Sequence, residues 1–176
     1  MEFDLLVNEE FVYNQRSDGI IVASPTGSTA YSLSAGGPIM HPRLDAVVVV
    51  PMFPHTLTSR PLVVSGDSTV MVRIIDAAEG APQLSCDSQI NLPLEVGDVV
   101  KVGKSEEPLN LLYPAGHSFY ESCRSKLDWA SRLGGSEWHS QKLNQFMLDR
   151  MVYLCPYKAL CRSNLVEPFA ENVLVI

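Results

Sequence analysis

"SDGIIVASPTGSTAYSLSAGGP", residues 17–38, sets an aliphatic run beside a series of small, hydroxylated and Gly-rich residues. The block GIIVAS reads as a strand that ends at Ser24, because Pro25 has no N–H with which to continue a ladder. Thr26–Ser28 then read as a tight turn into a helix, with Thr26 or Ser28 as its N-cap. Gly36 and Gly37 end that helix after about two turns, and Pro38 prevents its continuation. A helix opening on Ser-Thr-Ala-Tyr presents backbone N–H groups and hydroxyls with no bulky side chain in front of them, and its dipole favours negative charge there. A phosphate or a ribose hydroxyl suits such a site; a well-capped connector between two strands is the other reading. The stretch is neither a Walker A loop nor a G-x-G-x-x-G turn. It is not G-x-S-x-G either, so Ser28 is not placed as an esterase nucleophile.

Outward from this stretch, β-branched blocks recur from Phe3 to about Lys104: GIIVAS, DAVVVVPM, RPLVVS, STVMVRII, QLSCDSQINL and GDVVKVG. STVMVRIID alternates loosely, as a strand with one wet face should, whereas AVVVV is apolar throughout and reads as buried on both faces. The turn signals SGDS, AEGAP and EVGD are spaced as in an antiparallel sandwich. Beyond them, Phe119–Leu133 places Phe119, Cys123, Leu127, Trp129 or Ala130, and Leu133 at helical spacing, stopped by Gly134 and Gly135. The expected fold is therefore mainly β with few helices (α+β): an antiparallel β-sandwich with one short helix after the PTGST turn and a C-terminal helix. Residues 1–135 form the β-rich domain. Residues 136–176 have a different texture, with a candidate helix over 141–154 broken by Pro156 and no turn logic tying them to the sheet.

The chain has 176 residues, 46% of them hydrophobic, enough for one substantial core. A net charge of −7 argues against a nucleic-acid partner held by a basic face. Cys86, Cys123, Cys155 and Cys161 show no C-x-x-C spacing, so free thiols in a reducing compartment are expected. The N-terminus MEFDLLVNEEF is acidic where a signal peptide is basic, and 18 apolar residues never run together. A cytoplasmic, soluble protein with no membrane partner is expected.

Asp18 stands just before the strand, and Asp87 and Gln89 lie in CDSQ between apolar flanks. An acid at a strand end serves either as a turn former or as an acceptor for two ribose hydroxyls, and an amide can read a base edge. Arg60 and Arg16 suit a phosphate or an acid of the same chain equally well. His55 reads as a satisfied loop histidine. His41, His117 and His139 are too scattered to suggest a metal.

QRSDGIIVASPTGSTAYSLSAGGPI, VVPMFPHTLTSRPLVV and SCDSQ closely resemble the C-terminal domain of bacterial NAD kinases, the ATP-NAD kinase family. The resemblance runs from Met1 to about Leu133, where FYESCRSKLDWASRL is similar to the family's last helix. It implies an enzyme that phosphorylates the 2′-hydroxyl of the adenosine ribose of NAD to give NADP, with ATP or polyphosphate as donor and a divalent metal, magnesium, accompanying ATP. It implies an N-terminal α/β domain carrying Gly-Gly-Asp-Gly, followed by a β-rich domain that binds much of the NAD. Carried over residue by residue, Asp18, Thr29, Ala30, Tyr31, Ser32, Leu33 and Ser34 line the dinucleotide, with Arg16 beside them and Gln89 as a further contact. Asp87 approaches from a partner subunit of a homodimer or homotetramer.

Two departures qualify the resemblance. Gly-Gly-Asp-Gly does not occur in the chain, and the family's catalytic Asp belongs to that motif. The expectation is that the base lies upstream of Met1 and that this polypeptide alone is inactive. Asn8 and Glu9 are no substitute for the Asn-Glu pair by which the family holds NAD, because counting back from QRSDG places them on a later strand. The residues after Gly135 are the second departure. Three classes of function follow: an NAD kinase domain, a nucleotide-binding module that does not react, and a structural β domain.

Overall fold

The computed structural model describes residues 1–77, 80–105, 111–127, 129, 157–161, 169–170 and 173–176. They group into two compact units, Met1–Leu109 with Tyr153–Ile176, and Asn110–Val152.

The first unit is built from β1 (Glu2–Val7), β2 (Glu10–Arg16), β3 (Gly19–Ala23), β4 (Ala46–Met52), β5 (Leu62–Ser65), β6 (Val70–Asp76), β7 (Gln83–Cys86), β8 (Ile90–Pro93) and β9 (Val99–Lys104). To these are added β10 (Tyr157–Cys161), β11 (Phe169–Ala170) and β12 (Val173–Val175). A short helix α1 (Tyr31–Ser34) follows β3. The strands form two six-stranded sheets, β11-β10-β9-β6-β1-β2 and β5-β4-β3-β12-β7-β8. The expected antiparallel sandwich is what forms: every strand pairing described is antiparallel. β1 and β2 join through Asn8 and Glu9, both left-handed at φ 51° and 68°, as in a type I′ turn. These two residues thus form a hairpin turn and not a strand interior. Asn8 is further tied to Thr69, whose N–H donates to Asn8 Oδ1 at 2.9 Å.

Period-two alternation sends each strand's residues to opposite faces. Phe3, Leu5, Val70, Val72, Ile74, Val100 and Val102 of the first sheet meet Ile20, Val22, Val47, Val49 and Leu84 of the second in one core between the sheets. The intervening Ile21, Ala23, Val48 and Val50 face the other way and pack with Met40 and Ala35. This is why AVVVV carries no polar position. Each fully buried aliphatic side chain is worth about 1.5–3 kcal/mol, against about 1 kcal/mol net for an ordinary hydrogen bond. Burial of β3 and β4 on both faces therefore holds the platform on which the following loop sits.

The described strands of the stretch 136–176, β10, β11 and β12, enter both sheets, although the sequence of that stretch shows no tie to them. β10 pairs with β9, and β12 lies between β3 and β7. The candidate helix over 141–154 lies outside the described residues. In the second unit, α2 (Phe119–Lys126) has Ser118 as N-cap, its Oγ accepting from the Glu121 N–H at 3.3 Å, with Arg124 and Lys126 in the last turn. The rest of the helix expected to reach Leu133 lies almost wholly outside the described residues.

Candidate functional site

The loop after β3 does not form the single two-turn helix expected. Gly27–Thr29 make a 3₁₀ turn, Ala30 breaks it at φ −99°, ψ −131°, and only then does the four-residue α1 begin. Neither start has a side-chain cap, so Thr26 and Ser28 do not play the predicted role. Ser24 takes over instead: its Oγ accepts from the Gly27 N–H at 3.1 Å, and its carbonyl accepts from the Ser28 N–H at 2.9 Å. Two N–H groups that a straight helix start would hold out to a ligand are thereby used internally.

The hydroxyls divide in the same way. Ser28 is fully buried; its Oγ donates to the Pro25 carbonyl at 2.6 Å and accepts from the Met40 N–H at 2.9 Å, locking the start of the loop to its return. Thr29 Oγ1, on the surface, donates to the Thr26 carbonyl at 3.2 Å. Tyr31 is 48% exposed, and Ala30 and Ser34 are exposed as well. Ser32 is buried, and among the described residues its Oγ has no hydrogen-bond partner. Leu33 is half-buried.

The helix ends as its sequence requires. Gly36 is left-handed at φ 85°, its N–H bonds to the Leu33 carbonyl at 3.0 Å, and the Gly37 N–H reaches the Ser32 carbonyl at 2.9 Å. This pair of bonds is a Schellman motif. Gly37 is also required by contact, since a Cβ there would lie 2.5 Å from Ser32 Oγ and 3.0 Å from Val50 Cγ2.

The other predicted residues lie at the two ends of β3. Arg16 and Asp18 flank the buried Ser17 at the β2–β3 junction, both exposed. The Asp18 N–H bonds to the Met52 carbonyl and the His55 N–H to the Arg16 carbonyl, at 3.0 and 3.1 Å, which brings the Phe53–Arg60 loop alongside. Asp18 precedes β3 and Ser24 follows it, roughly 20 Å apart along the strand at about 3.3 Å per residue. Asp87 and Gln89 belong to the turn between β7 and β8, where Asp87 and Ser88 are left-handed at φ 49° and 58° and the Gln89 N–H bonds to the Cys86 carbonyl. Cys86 is in register with Leu174, and Leu174 with Val22, so this turn lies at the Ala23 end of β3, the end from which the loop departs.

Sequence reasoning missed the polar group beside Arg16. Gln15 is 5% exposed; its Oε1 accepts from Ser59 Oγ at 3.0 Å, and its Nε2 is buried without a partner among the described residues. Tyr13 Oη, on the same face of β2, is also buried and unpartnered, and burial pushes the phenol up to about 12. The polar letters of YNQRSD carry the only signal for this group. The Arg60 guanidinium donates to the Leu57 and Ser59 carbonyls at 2.8 and 2.6 Å, and among the described residues no acid forms an ion pair with it. Among the described residues no group of three His, Cys, Asp or Glu could hold a metal ion.

The sequence profile of the ATP-NAD kinase C-terminal domain matches residues 1–113, which include both ends of β3, the loop and the Asp87–Gln89 turn. The chain belongs to this family. An NAD kinase from Teredinibacter turnerae is 56% identical over 134 residues, 76% of this chain and 46% of that protein, so the chain spans about half the length of this relative. Among solved structures, a yeast NADH kinase complexed with NADH superposes with a TM-score of 0.60 at 30% identity, covering 76% of this chain and 40% of that one. An NAD kinase from Archaeoglobus fulgidus in complex with ATP gives a TM-score of 0.52 at 32% identity, covering 60% and 39%. Among the described residues no helix is long and apolar enough to cross a membrane.

Proposed function

We propose that this chain supplies the NAD-binding part of an NAD kinase, which transfers a phosphoryl group from ATP or polyphosphate to the 2′-hydroxyl of the adenosine ribose of NAD. The observation that carries this reading is the Ser17–Pro38 stretch: it lies inside the family match, its backbone is locked from within by Ser24 and Ser28, and its outer residues stay open. Thr29, Ala30, Tyr31, Ser32, Leu33 and Ser34 form the wall along which the dinucleotide lies. Asp18 accepts ribose hydroxyls, Arg16 offers charge to a phosphate, and Gln89 reads a base edge.

The reading extends to partners. Phe53 and Leu57, in the loop beside Arg16, are 73% and 91% exposed, as expected of a face covered by an N-terminal α/β domain or by another copy in a homodimer or homotetramer. Asp87 serves a neighbouring copy's site. Magnesium arrives with ATP as part of the co-substrate, and the reaction is cytoplasmic. Phosphoryl transfer needs a positioned base and charge neutralisation, and without Gly-Gly-Asp-Gly the 176-residue chain by itself binds nucleotide and does not turn it over.

Calorimetric titration of the folded chain with NAD and NADP tests the binding, and incubation with NAD, ATP and magnesium tests the chemistry. Binding without NADP formation is expected. No heat from either nucleotide leaves only the structural reading, and NADP above a no-enzyme control removes the claim of inactivity.

A further inference from the structure

One strand of the second sheet comes from far along the chain. β12 is inserted between β3 and β7, with Val173, Leu174 and Val175 opposite Ala23, Val22 and Ile21, and Leu174 and Val175 opposite Cys86 and Ser85. One step further, Ile176 and Ile20 exchange both backbone hydrogen bonds at 2.9 Å. The Ile176 side chain is 5% exposed and belongs to the core between the sheets, whereas Val175 packs against the core on the outer face. The insert thus repeats the two-faced burial of β3. Gly19 makes room for it: a Cβ there would stand 2.6 Å from the Ile176 carbonyl oxygen. The family profile ends at residue 113, so the segment filling this place lies outside the part that matches the family.

With β12 removed, β3 and β7 would stand two strand spacings apart, about 9.5 Å, too far to bond to one another. Their facing N–H and C=O groups would lose their partners in the middle of a packed sheet, which a folded protein does not leave uncompensated. The gap has the dimensions and chemistry of a site for one short extended apolar segment, paired along both edges and alternating between two cores.

We propose that the space between β3 and β7 is a strand-accepting slot, and that Val173–Ile176 is its occupant, entering by strand addition. The backbone of the segment supplies affinity, and the room left at Gly19 for its last carbonyl sets its register. Because β3 carries the loop that follows Ala23, filling the slot holds that loop on a complete sheet. The inference stands apart from nucleotide binding and would hold if the chain bound no nucleotide.

Hydrogen exchange on the full chain is the direct test. The Ile20 and Ile176 amides should exchange as slowly as those of Val48–Val50, and an Ile176 amide exchanging at the rate of an unstructured peptide beside a protected Val48–Val50 overturns the proposal. Gly19→Ala should expel the segment, speeding Ile176 exchange at least 100-fold while α2 keeps its protection; unchanged exchange at Ile176 counts against the slot. A chain lacking residues 171–176 should regain Ile20 protection, or its yield of folded protein, when the peptide ENVLVI is added and not when a scrambled peptide is. Full Ile20 protection in the shortened chain without peptide, or no gain on adding it, refutes the proposal.

Discussion

Replacement of Ser28 by Ala separates the hydroxyls that hold the loop from those that face outward. Ser28 Oγ is the hydrogen-bond partner of the Met40 N–H at 2.9 Å, and its own proton goes to the Pro25 carbonyl at 2.6 Å. In Ser28→Ala the Pro25 carbonyl keeps a weaker partner, the Ser28 N–H at 3.3 Å, but the Met40 N–H is left buried and unpaired. One orphaned buried donor costs about 1–3 kcal/mol, so a loss of about 2 kcal/mol is expected. For a chain of this size that lowers Tm by about 4–8 °C, or moves the urea midpoint by about 1 M with an unchanged slope. Thr29→Ala, which removes one exposed hydrogen bond to Thr26, should cost less than about 0.5 kcal/mol. Ser32→Ala should be neutral or slightly stabilising without nucleotide, because the hydroxyl it removes is buried and unpartnered. Urea unfolding of the three variants, followed by far-UV circular dichroism, gives the order. If Ser28→Ala were as mild as Thr29→Ala, the internal lock would not exist and the reasoning would fail.

The two glycines that end α1 should differ. Gly36→Ala meets open space and pays only for its left-handed φ of 85°, about 1–2 kcal/mol, whereas Gly37→Ala drives a Cβ against Ser32 and Val50 and should cost more; thermal melts that reverse this order would contradict the packing. Asp18→Ala and Tyr31→Ala should each weaken NAD binding tenfold or more, about 1.4 kcal/mol, while both chains melt within a few degrees of the parent, since both side chains are exposed. Unchanged NAD affinity in both would remove these residues from the site. At alkaline pH, burial holds Tyr13 and Cys86 protonated, Tyr13 up to about 12 and Cys86 up to about 11, the latter helped by Asp87, against ordinary values of 10.0 and 9.0. Both folded values are raised, so this contribution is complete below pH 9 and fades as pH rises through 11 and 12. Denaturation midpoints should be flat to pH 9 and fall beyond it, and a rise over that interval would contradict the burial of these groups.

Much of the fold is legible in the residues themselves. Pro25 ends β3 because it has no N–H, and Gly36 ends α1 because it accepts a positive φ at no cost. The unbroken AVVVV run announces a strand buried on both faces, as Val47 and Val49 on one side and Val48 and Val50 on the other bear out. The motifs of residues 15–39, 49–64 and 85–89 were enough to point to the family. None of these signals requires knowing what lies far away in the chain.

The tertiary structure decided which polar groups are free to act. Ser24 and Ser28 look like Thr29 and Ser34 in the sequence, but a partner 12 residues away, the Met40 N–H, turns Ser28 inward. Register through β12 carries the Asp87–Gln89 turn to the end of β3 from which the loop departs, while Asp18 stays at the other. Nothing local in the VLVI segment says where in a sheet it belongs, since its place depends on an opening between β3 and β7 and on the room left by Gly19. Strand ends and turns follow from the sterics of single residues and so can be read in order along the chain; hydrogen-bond partners and inserted strands follow from which distant segments pack together, and that is settled only when the sheets close.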